Sequence, residues 1–255
     1  MKKILALCFF PVFTPPTNGG QSRMFNFYRE LSKHHIVTLL TSTHMDVAEV
    51  RLVHSVNFIE RRIPKDRYFL EHWHRLAQFG SGGDMSAPVL AAASSHPTLM
   101  HKAYLEEYDR ADIIIHDFPF LEGYDIFRGL DNKLRVYDSH NCESRLYRQL
   151  HPEVKSAAIH EIVDDAERDL LRHVDMVLYC NEDDLKAFRA IPDAPEFQSH
   201  YAPNGTLLPP LEASDFGFRK ALQSVTSAVF LGSAHPPNTE AALFIANKIA
   251  PRIQE

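Results

Sequence analysis

Cysteine is scarce in this chain of 255 residues, and long apolar runs are missing. Cys8, Cys142 and Cys180 have spacings that match neither a zinc site nor a paired disulfide framework, which favours a reducing cytoplasm. No stretch reaches the roughly 18 to 20 apolar residues that a membrane-spanning helix needs. The formal net charge of -6 argues against a nucleic-acid-binding protein, because such proteins usually carry a net basic face. We therefore expect a cytoplasmic protein, with peripheral contact with the inner face of the membrane left open.

The N-terminus combines Lys2 and Lys3 with an apolar run at residues 4–10, which is also how a secretory signal peptide begins. This run is short, Pro11 interrupts it, and no cleavage site of the small-x-small type follows. We interpret it as the first β-strand of the fold.

Short apolar runs rich in β-branched residues alternate with amphipathic helical patterns along the chain. Continuous apolar runs are typical of parallel strands that are buried on both faces. The predicted strands cover residues 4–9, 36–41, 56–59, 113–115, 134–137, 176–179 and 228–231. The alternation predicts an α/β fold, with a Rossmann-like, open, doubly wound parallel sheet.

The predicted helices have a periodicity that marks a buried side. A helix over residues 22–33 places Met24, Phe27, Tyr28 and Leu31 on one face. A longer helix over residues 155–173 repeats Ala158, Ile162, Ala166 and Leu170 on its buried side. After the strand at 176–179, Asn181 is suited to cap the next helix, and Asp184 falls in its first turn, where the helix dipole favours an acid.

Residues 191–210 are rich in proline and turn-forming residues and include the turn dipeptide Asn204-Gly205. We interpret this stretch as the end of a domain. The predicted domains are residues 1–210 and a second, incomplete one at 211–255, in which a linker is followed by the strand 228–231 and a helix from Asn238 to about Ile249.

A glycine pair follows the first predicted strand, where Asn18, Gly19 and Gly20 precede the helix at 22–33. Ligands of open α/β sheets bind outside the carboxyl ends of the strands, and glycines there let backbone N–H groups approach a phosphate at a helix N-terminus. The pattern is neither a G-x-G-x-x-G fingerprint nor a P-loop. The segment is thus a candidate anion site, and a plain turn is the alternative.

Two further polar clusters follow predicted strands, and they belong at the same edge of the sheet. Their candidate residues are His116, Asp117, Asp138, His140, Asn141 and Glu143. A histidine there can bind a sugar hydroxyl or a phosphate, and the acids can orient it or bind polar substrate groups. A hydrogen-bonded loop histidine is the simpler alternative, but three clusters at one edge together predict a pocket.

Several activities lack their sequence signatures. No G-x-S-x-G elbow indicates a serine hydrolase, and the 15 histidines show no H-E-x-x-H or comparable spacing for a catalytic zinc. We expect His34, His35, His72 and His74 on solvated surfaces and no metal site. The basic, aromatic segment 65–75 reads as a solvated helix face with a buried Trp73, and contact with an anionic acceptor or a phospholipid surface is the alternative.

Several segments, taken in order, resemble the GT4-like family (glycosyltransferase group 1) of retaining glycosyltransferases with the GT-B fold. They are Pro-Pro-Thr-Asn-Gly-Gly-Gln-Ser-Arg at 15–23, Tyr-Asp-Ser-His-Asn-Cys-Glu at 137–143, the stretch 166–178, Ala-Pro-Asn-Gly-Thr at 202–206, Phe-Leu-Gly-Ser at 230–233, Pro237-Asn238 and Glu240-Ala241. The shared order covers nearly the whole chain.

The resemblance implies an N-terminal, acceptor-side domain, a C-terminal domain that binds a UDP- or GDP-linked sugar, and hexose transfer to a glycan or lipid-linked acceptor in the cleft between them. Carried over to this sequence, Gly19 and Gly20 would approach the donor diphosphate, and His140 would be the catalytic contact near the reacting carbon of the sugar. The remaining candidates, Asn18, His116, Asp117, Asp138, Asn141 and Glu143, would line the acceptor or sugar pocket. The family needs neither a metal nor a separate cofactor.

The chain departs from the family's pattern at its C-terminal side, since only the first βα unit of the nucleotide-sugar domain is expected at 228–249. The E-x7-E acids of the family would lie beyond residue 255. We therefore expect little or no transferase activity from this chain alone, as a truncated enzyme or as one whose missing half another chain supplies. A non-catalytic binding module of a bipartite transferase, a homodimer through the incomplete domain, and a nucleotide-sugar epimerase are the alternatives.

Overall fold

Strands and helices alternate along the chain, as the apolar runs predict. The computed structural model describes residues 1–79, 85–192, 195–205, 230, 232 and 236–253. The strands are β1 (Lys3–Cys8), β2 (Ile36–Thr43), β3 (Val50–Ser55), β4 (Phe58–Pro64), β5 (Ile113–His116), β6 (Leu134–Asp138), β7 (Met176–Tyr179) and β8 (Gln198–Tyr201). The helices are α1 (Gly19–Leu31), α2 (Arg67–Leu76), α3 (Ser86–Ala93), α4 (Leu99–Tyr108), α5 (Gly123–Arg128), α6 (Glu143–Leu150), α7 (Ala157–His173), α8 (Glu182–Arg189), α9 (Pro236–Phe244) and α10 (Ala250–Ile253).

The described strands form one sheet in the order β3-β4-β2-β1-β5-β6-β7-β8. All neighbours pair in parallel except β3, which is antiparallel to β4. This is the predicted doubly wound α/β sheet. Because parallel strands end at the same edge, the residues that follow β1, β5, β6 and β7 lie together, and we call this edge the rim.

The core forms around β1, whose residues from Ile4 onward are buried. Helix α1 buries Met24 and Tyr28 in the same core, as its periodicity predicts. The burial of an apolar strand and the helix beside it is the main favourable contribution to stability, at about 25 cal/mol per Å² of apolar surface.

The predicted strand at 56–59 is right only in its second half, because Val56 and Asn57 form the turn between β3 and β4, and Phe58 and Ile59 begin β4. Val56 is 94% exposed in that turn. Apolar character alone therefore misplaced it. β8 was missed for the opposite reason, since its residues are polar and mostly exposed, although they pair with β7 along its whole length.

Helix α7 exists as predicted, and Ala166 and Leu170 are buried as predicted. Over its first half the buried side is displaced by one residue, because Ile159 and Val163 are fully buried, whereas Ala158 and Ile162 are only partly so. Glu167, beside Ala166, is fully buried as well, so an acid lies in the interior. The same helix-face reasoning was wrong for His72, which is buried in α2, while His74 is exposed.

The chain divides into two compact units, Met1–Gly205 and Thr206–Glu255. In the second unit, the described helix α9 continues through a π-helical turn, Ile245–Ile249, into α10, where the sequence predicts a helix. The predicted strand at 228–231 lies outside the described residues, except for Phe230. Among the helices that the structure describes, none is both long and apolar enough to cross a bilayer.

A buried ion-pair network fixes β6 against α4 and α5. Asp125 accepts hydrogen bonds from Arg135 Nε at 2.7 Å and from Tyr104 Oη at 2.7 Å, and the His116 Nε2 lies 3.5 Å from it. Burial alone raises the pKa of Asp125, but its contacts with His116, Arg135 and Tyr104 outweigh burial and hold the pKa well below its usual range. Asp125 is therefore a charged structural residue.

We expect Asp125→Asn to lower the free energy of unfolding by about 3–5 kcal/mol at pH 7, because it removes the closest counter-charge of the buried Arg135 and leaves it the more distant Asp131, whose Oδ1 lies 3.5 Å away. The pKa of Asp125 is lowered in the folded state, so the contribution is present above the unfolded pKa of about 3.9 and is lost as pH falls below it. Urea unfolding from pH 7 to pH 3 measures both effects. Asp109→Asn, at an exposed pair with Arg128, is the control, and equal losses in the two variants would contradict the assignment.

Candidate functional site

Helices α1, α6 and α8 follow β1, β6 and β7 at the rim, and their first turns differ in what occupies them. At the start of α6, the Glu167 carboxylate accepts from the backbone N–H groups of Glu143 at 2.8 Å and Ser144 at 2.9 Å. At the start of α8, the Asn181 side chain caps the helix as predicted, and the first turn carries three acids. The protein's own polar groups thus occupy both helix starts.

The start of α1 is different. Asn18 caps the helix by accepting from Gln21 N at 2.9 Å, and the first turn holds no acid. The first intrahelical bond runs from Ser22 N to Asn18 O, so the N–H groups of Gly19 and Gly20 precede the helical ladder. The positive end of the helix dipole adds to these open donors. Of the three starts, α1 is the one suited to an anion.

His140 lies directly beside this helix start. Its side chain is 8% exposed and stacks on Phe118 with a centroid separation of 4.3 Å. The position that a Cβ atom would take on Gly20 is 3.7 Å from His140 Nδ1. Of the two ring nitrogens, Nε2 is buried without a hydrogen-bond partner among the described residues, and Nδ1 faces α1. The ring therefore presents one nitrogen to the space at the glycine pair.

The buried ring edge of His140 faces two carboxyl groups. Its Nε2 lies 3.8 Å from Asp117 Oδ1, and Asp117 Oδ2 accepts a hydrogen bond from Tyr28 Oη at 2.8 Å. Asp138 accepts from Arg23 Nη2, and the other guanidinium nitrogen donates to Ala202 O at 2.7 Å. Arg23 is thus paired with Asp138, whereas Asp117 is held by the Tyr28 hydroxyl.

Burial shifts the titration of all three groups. It lowers the pKa of His140 to about 4, an effect that Asp138 opposes and Arg23 strengthens. It raises the pKa of Asp117 to about 7 and that of Asp138 to about 6. At neutral pH the imidazole is neutral, so it can donate or accept one hydrogen bond at each nitrogen, according to its tautomer.

One oxygen of Asp117, one of Asp138 and one nitrogen of His140 lie within 4.8 Å of one another, so these residues are chemically suited to a cation. The Arg23 guanidinium already binds Asp138 and brings a positive charge to the same group. A divalent ion would have to sit beside it, which coulombic repulsion disfavours. The absence of a metal stays a prediction.

Three of the predicted site residues lie outside the cluster that His140, Asp117, Asp138 and Arg23 form. His116 precedes Asp117 directly, so its side chain points to the other face of the sheet and reaches Asp125. Asn141 is exposed and donates to Glu143 Oε1 at 3.3 Å. Glu143 is 2% exposed, and burial together with the nearby Glu167 raises its pKa to about 8.

Arg23, Tyr28 and Glu167 were missed as site residues. The sequence carries a signal for Arg23, since a charged residue adjoins the apolar face of α1 one turn after the cap. Tyr28 was assigned to the core, which is correct, but its hydroxyl also holds Asp117.

No protein-family model matches the chain, and no curated protein matches it. Solved structures do. The sucrose-phosphate synthase of Thermosynechococcus elongatus aligns with a TM-score of 0.51 at 14% identity, over 81% of this chain and 49% of that one. The trehalose-6-phosphate glycosyltransferase of E. coli bound with UDP-2-fluoro glucose aligns with a TM-score of 0.53 at 12% identity, over 88% of this chain and 55% of that one.

The fold is that of GT-B glycosyltransferases. This confirms the predicted fold class. The chain spans about half the length of each of these GT-B structures. At such identities the likeness establishes the fold, and the activity has to be argued from the site.

The glycine pair of this GT-B fold offers a matched test of how closely α1 approaches His140. We expect Gly19→Ala to raise the free energy of unfolding by up to about 1 kcal/mol, because alanine favours the helix and its Cβ meets nothing within 4 Å. Gly20→Ala should gain less or lose stability, because its Cβ would lie 3.2 Å from Phe10 Cζ. Urea unfolding measures the difference. NMR should show the His140 ring signals moving in Gly20→Ala only; identical behaviour of the two variants would contradict the close approach.

Glu143 should make the stability of the protein depend on pH. Its folded-state pKa is about 8, above the unfolded value of about 4.3, so stability is fully present below pH 4.3 and falls as pH rises through 8. We expect Glu143→Gln to gain more than about 2 kcal/mol relative to the wild type between pH 5 and pH 8.5, since a pKa difference of one corresponds to about 1.4 kcal/mol. Urea unfolding across this range is the measurement. Glu161→Gln, on the exposed side of α7, is the control and should keep the pH dependence of the wild type. If Glu143→Gln also kept the pH dependence of the wild type, the raised pKa of Glu143 would be contradicted.

Proposed function

We propose that this chain forms the N-terminal, acceptor-side part of a retaining glycosyltransferase that transfers a hexose from a UDP- or GDP-linked sugar to a glycan or lipid-linked acceptor. The observation that carries the proposal is the open start of α1 at Gly19 and Gly20, with His140 beside it, whereas the starts of α6 and α8 on the same rim are occupied.

The chemistry of sugar transfer fits these two features. The departing nucleoside diphosphate gains negative charge, and the N–H groups and dipole of α1 stabilise such charge without a metal. The neutral His140 imidazole turns Nδ1 toward the same space and is suited to bind a sugar hydroxyl or the transferred group. Donor and imidazole would thus meet at one point of the rim.

The two acids beside His140 act from behind the imidazole. Asp117 and Asp138 are both fully buried, so a substrate does not contact them directly. Asp117 Oδ1 lies 3.8 Å from His140 Nε2, and Asp138 is paired with Arg23. We therefore assign the glycine pair and His140 Nδ1 to the substrate, and Asp117 and Asp138 to the orientation of the imidazole.

The second unit supports a division of the site between two domains. Helices α9 and α10 leave Leu243, Phe244 and Ile253 more than half exposed, at 57%, 58% and 71%. Large apolar side chains that are exposed on consecutive helices normally pack against further protein. We propose that further residues of a nucleotide-sugar domain, from the same gene or from a partner chain, cover them. The reaction would take place in the cytoplasm.

Donor binding tests the proposal. Calorimetry with a panel of UDP- and GDP-sugars should give no measurable binding to the 255-residue chain, and binding should appear in a version extended to the end of the natural gene or supplied with its partner. The reason is that the nucleotide contacts belong to the second domain. Tight binding by the short chain would overturn the division of labour.

Within the version that binds, His140→Ala should lower kcat by about 100-fold, as the loss of one positioned polar group typically does. His34→Ala, an exposed histidine beyond the end of α1, is the control and should leave kcat unchanged. Equal activity of the two variants would remove His140 from the mechanism.

A further inference from the structure

The carboxylate of Glu167 accepts hydrogen bonds from residues on both sides of the loop that carries His140. Ahead of the loop, Tyr137 Oη donates to Glu167 Oε1 at 3.0 Å. Behind it, Glu143 N donates to Oε1 at 2.8 Å and Ser144 N donates to Oε2 at 2.9 Å. One fully buried side chain from α7 therefore joins both ends of the loop.

Helix α6 depends on this carboxylate because it lacks a cap of its own. Cys142 occupies the N-cap position and makes no capping hydrogen bond; its thiol instead donates to Glu167 Oε2 at 3.5 Å. The first N–H groups of a helix need partners, and an anion satisfies them best. Glu167, which lies 23 positions after Ser144 in the sequence, supplies that anion.

Other contacts hold the loop at a single point near its start. Ser139 N donates to Leu178 O at 2.9 Å, and Cys180 Sγ donates to Ser139 O at 3.2 Å. These bonds fix one point of the loop, next to His140, but leave its far end to Glu167. The His140 ring contributes its stacking on Phe118, which tolerates sliding of the ring.

We propose that Glu167 is a positioning residue, which sets the distance between the His140 ring and the start of α1. Its catalytic consequence rests on the proposed function, whereas its effect on the ring does not. Without the carboxylate, the N–H groups of Glu143 and Ser144 and the Tyr137 hydroxyl lose their acceptor. The end of the loop then has to move to find water or other partners, because leaving such groups unpaired costs about 1–3 kcal/mol each.

The test compares Glu167→Gln with Val163→Ala. The first variant keeps the shape of the side chain but removes the charge and turns an NH2 group toward N–H donors. The second lies one turn earlier on the same buried side of α7 and removes packing alone. Both lower the melting temperature, so stability by itself does not separate a positioning role from a structural one.

The NMR signal of the His140 ring distinguishes the positioning role from the structural one. In NMR spectra of the folded chain, with His140→Ala used to assign the signal, Glu167→Gln should shift the His140 Cε1–H cross-peak and expose the Glu143 and Ser144 amides to faster hydrogen exchange. Val163→Ala should leave the cross-peak in place. An unmoved cross-peak in Glu167→Gln would overturn the proposal. If that variant does not fold, Glu167→Asp, which keeps the charge but shortens the reach, carries the same test.

In the donor-binding form of the protein, Glu167→Gln should lower kcat by roughly 10- to 100-fold with KM for the donor within about twofold, because a misplacement of about 1 Å costs up to that factor. An equal loss in Val163→Ala would overturn the positioning role. A shifted His140 signal in a protein without transferase activity would contradict the proposed function and leave the positioning role standing.

Discussion

Two-sided burial of β1 is the constraint from which the rest of the first unit follows. A strand that is buried on both faces needs helices above and below the sheet, and parallel neighbours on either side let the chain provide them. Parallel pairing then brings every carboxyl end to one edge. Polar residues, which are costly to bury in the apolar interior, follow the strands at this edge, and for that reason the candidate site lies there.

Charges at such an edge lie close to a dehydrated interior and therefore need partners. Arg23 joins three parts of the first unit, because its guanidinium contacts Asp138 at the end of β6 and both Ala202 and Asn204 after β8. Asp117 has a tyrosine hydroxyl where Asp138 has a guanidinium, and burial raises the pKa of both acids. Two buried acids with different partners thus lie within 4.8 Å of one imidazole.

The fold was largely predictable from the sequence because continuous apolar runs report burial on both faces, whatever the partners are. The exceptions follow the same rule. Val56 is apolar but occupies a turn, and β8 forms an edge strand whose exposed residues have no reason to be apolar. Pairing of the backbone with β7 defines β8, and backbone pairing leaves no trace in side-chain pattern.

The site was predictable only in part. Parallel strands guarantee that Gly20 and His140 meet at one edge, so their proximity could be expected. Side-chain direction could not be, because neighbouring strand residues face opposite sides, which separates His116 from Asp117. Partners at long range were also beyond reach: Arg23 and Ala202 are 179 positions apart, and nothing in either segment identifies the other.

The occupied starts of α6 and α8 have a consequence for recognition. A doubly wound sheet is nearly repetitive along its edge, so a small anion would meet several equivalent cradles and bind in several places. Here the chain's own acids and amides occupy the starts of α6 and α8, whereas the start of α1 stays open. A bound anion would then be directed to the start of α1, and this would orient the rest of the molecule before any specific contact to its sugar or base is made.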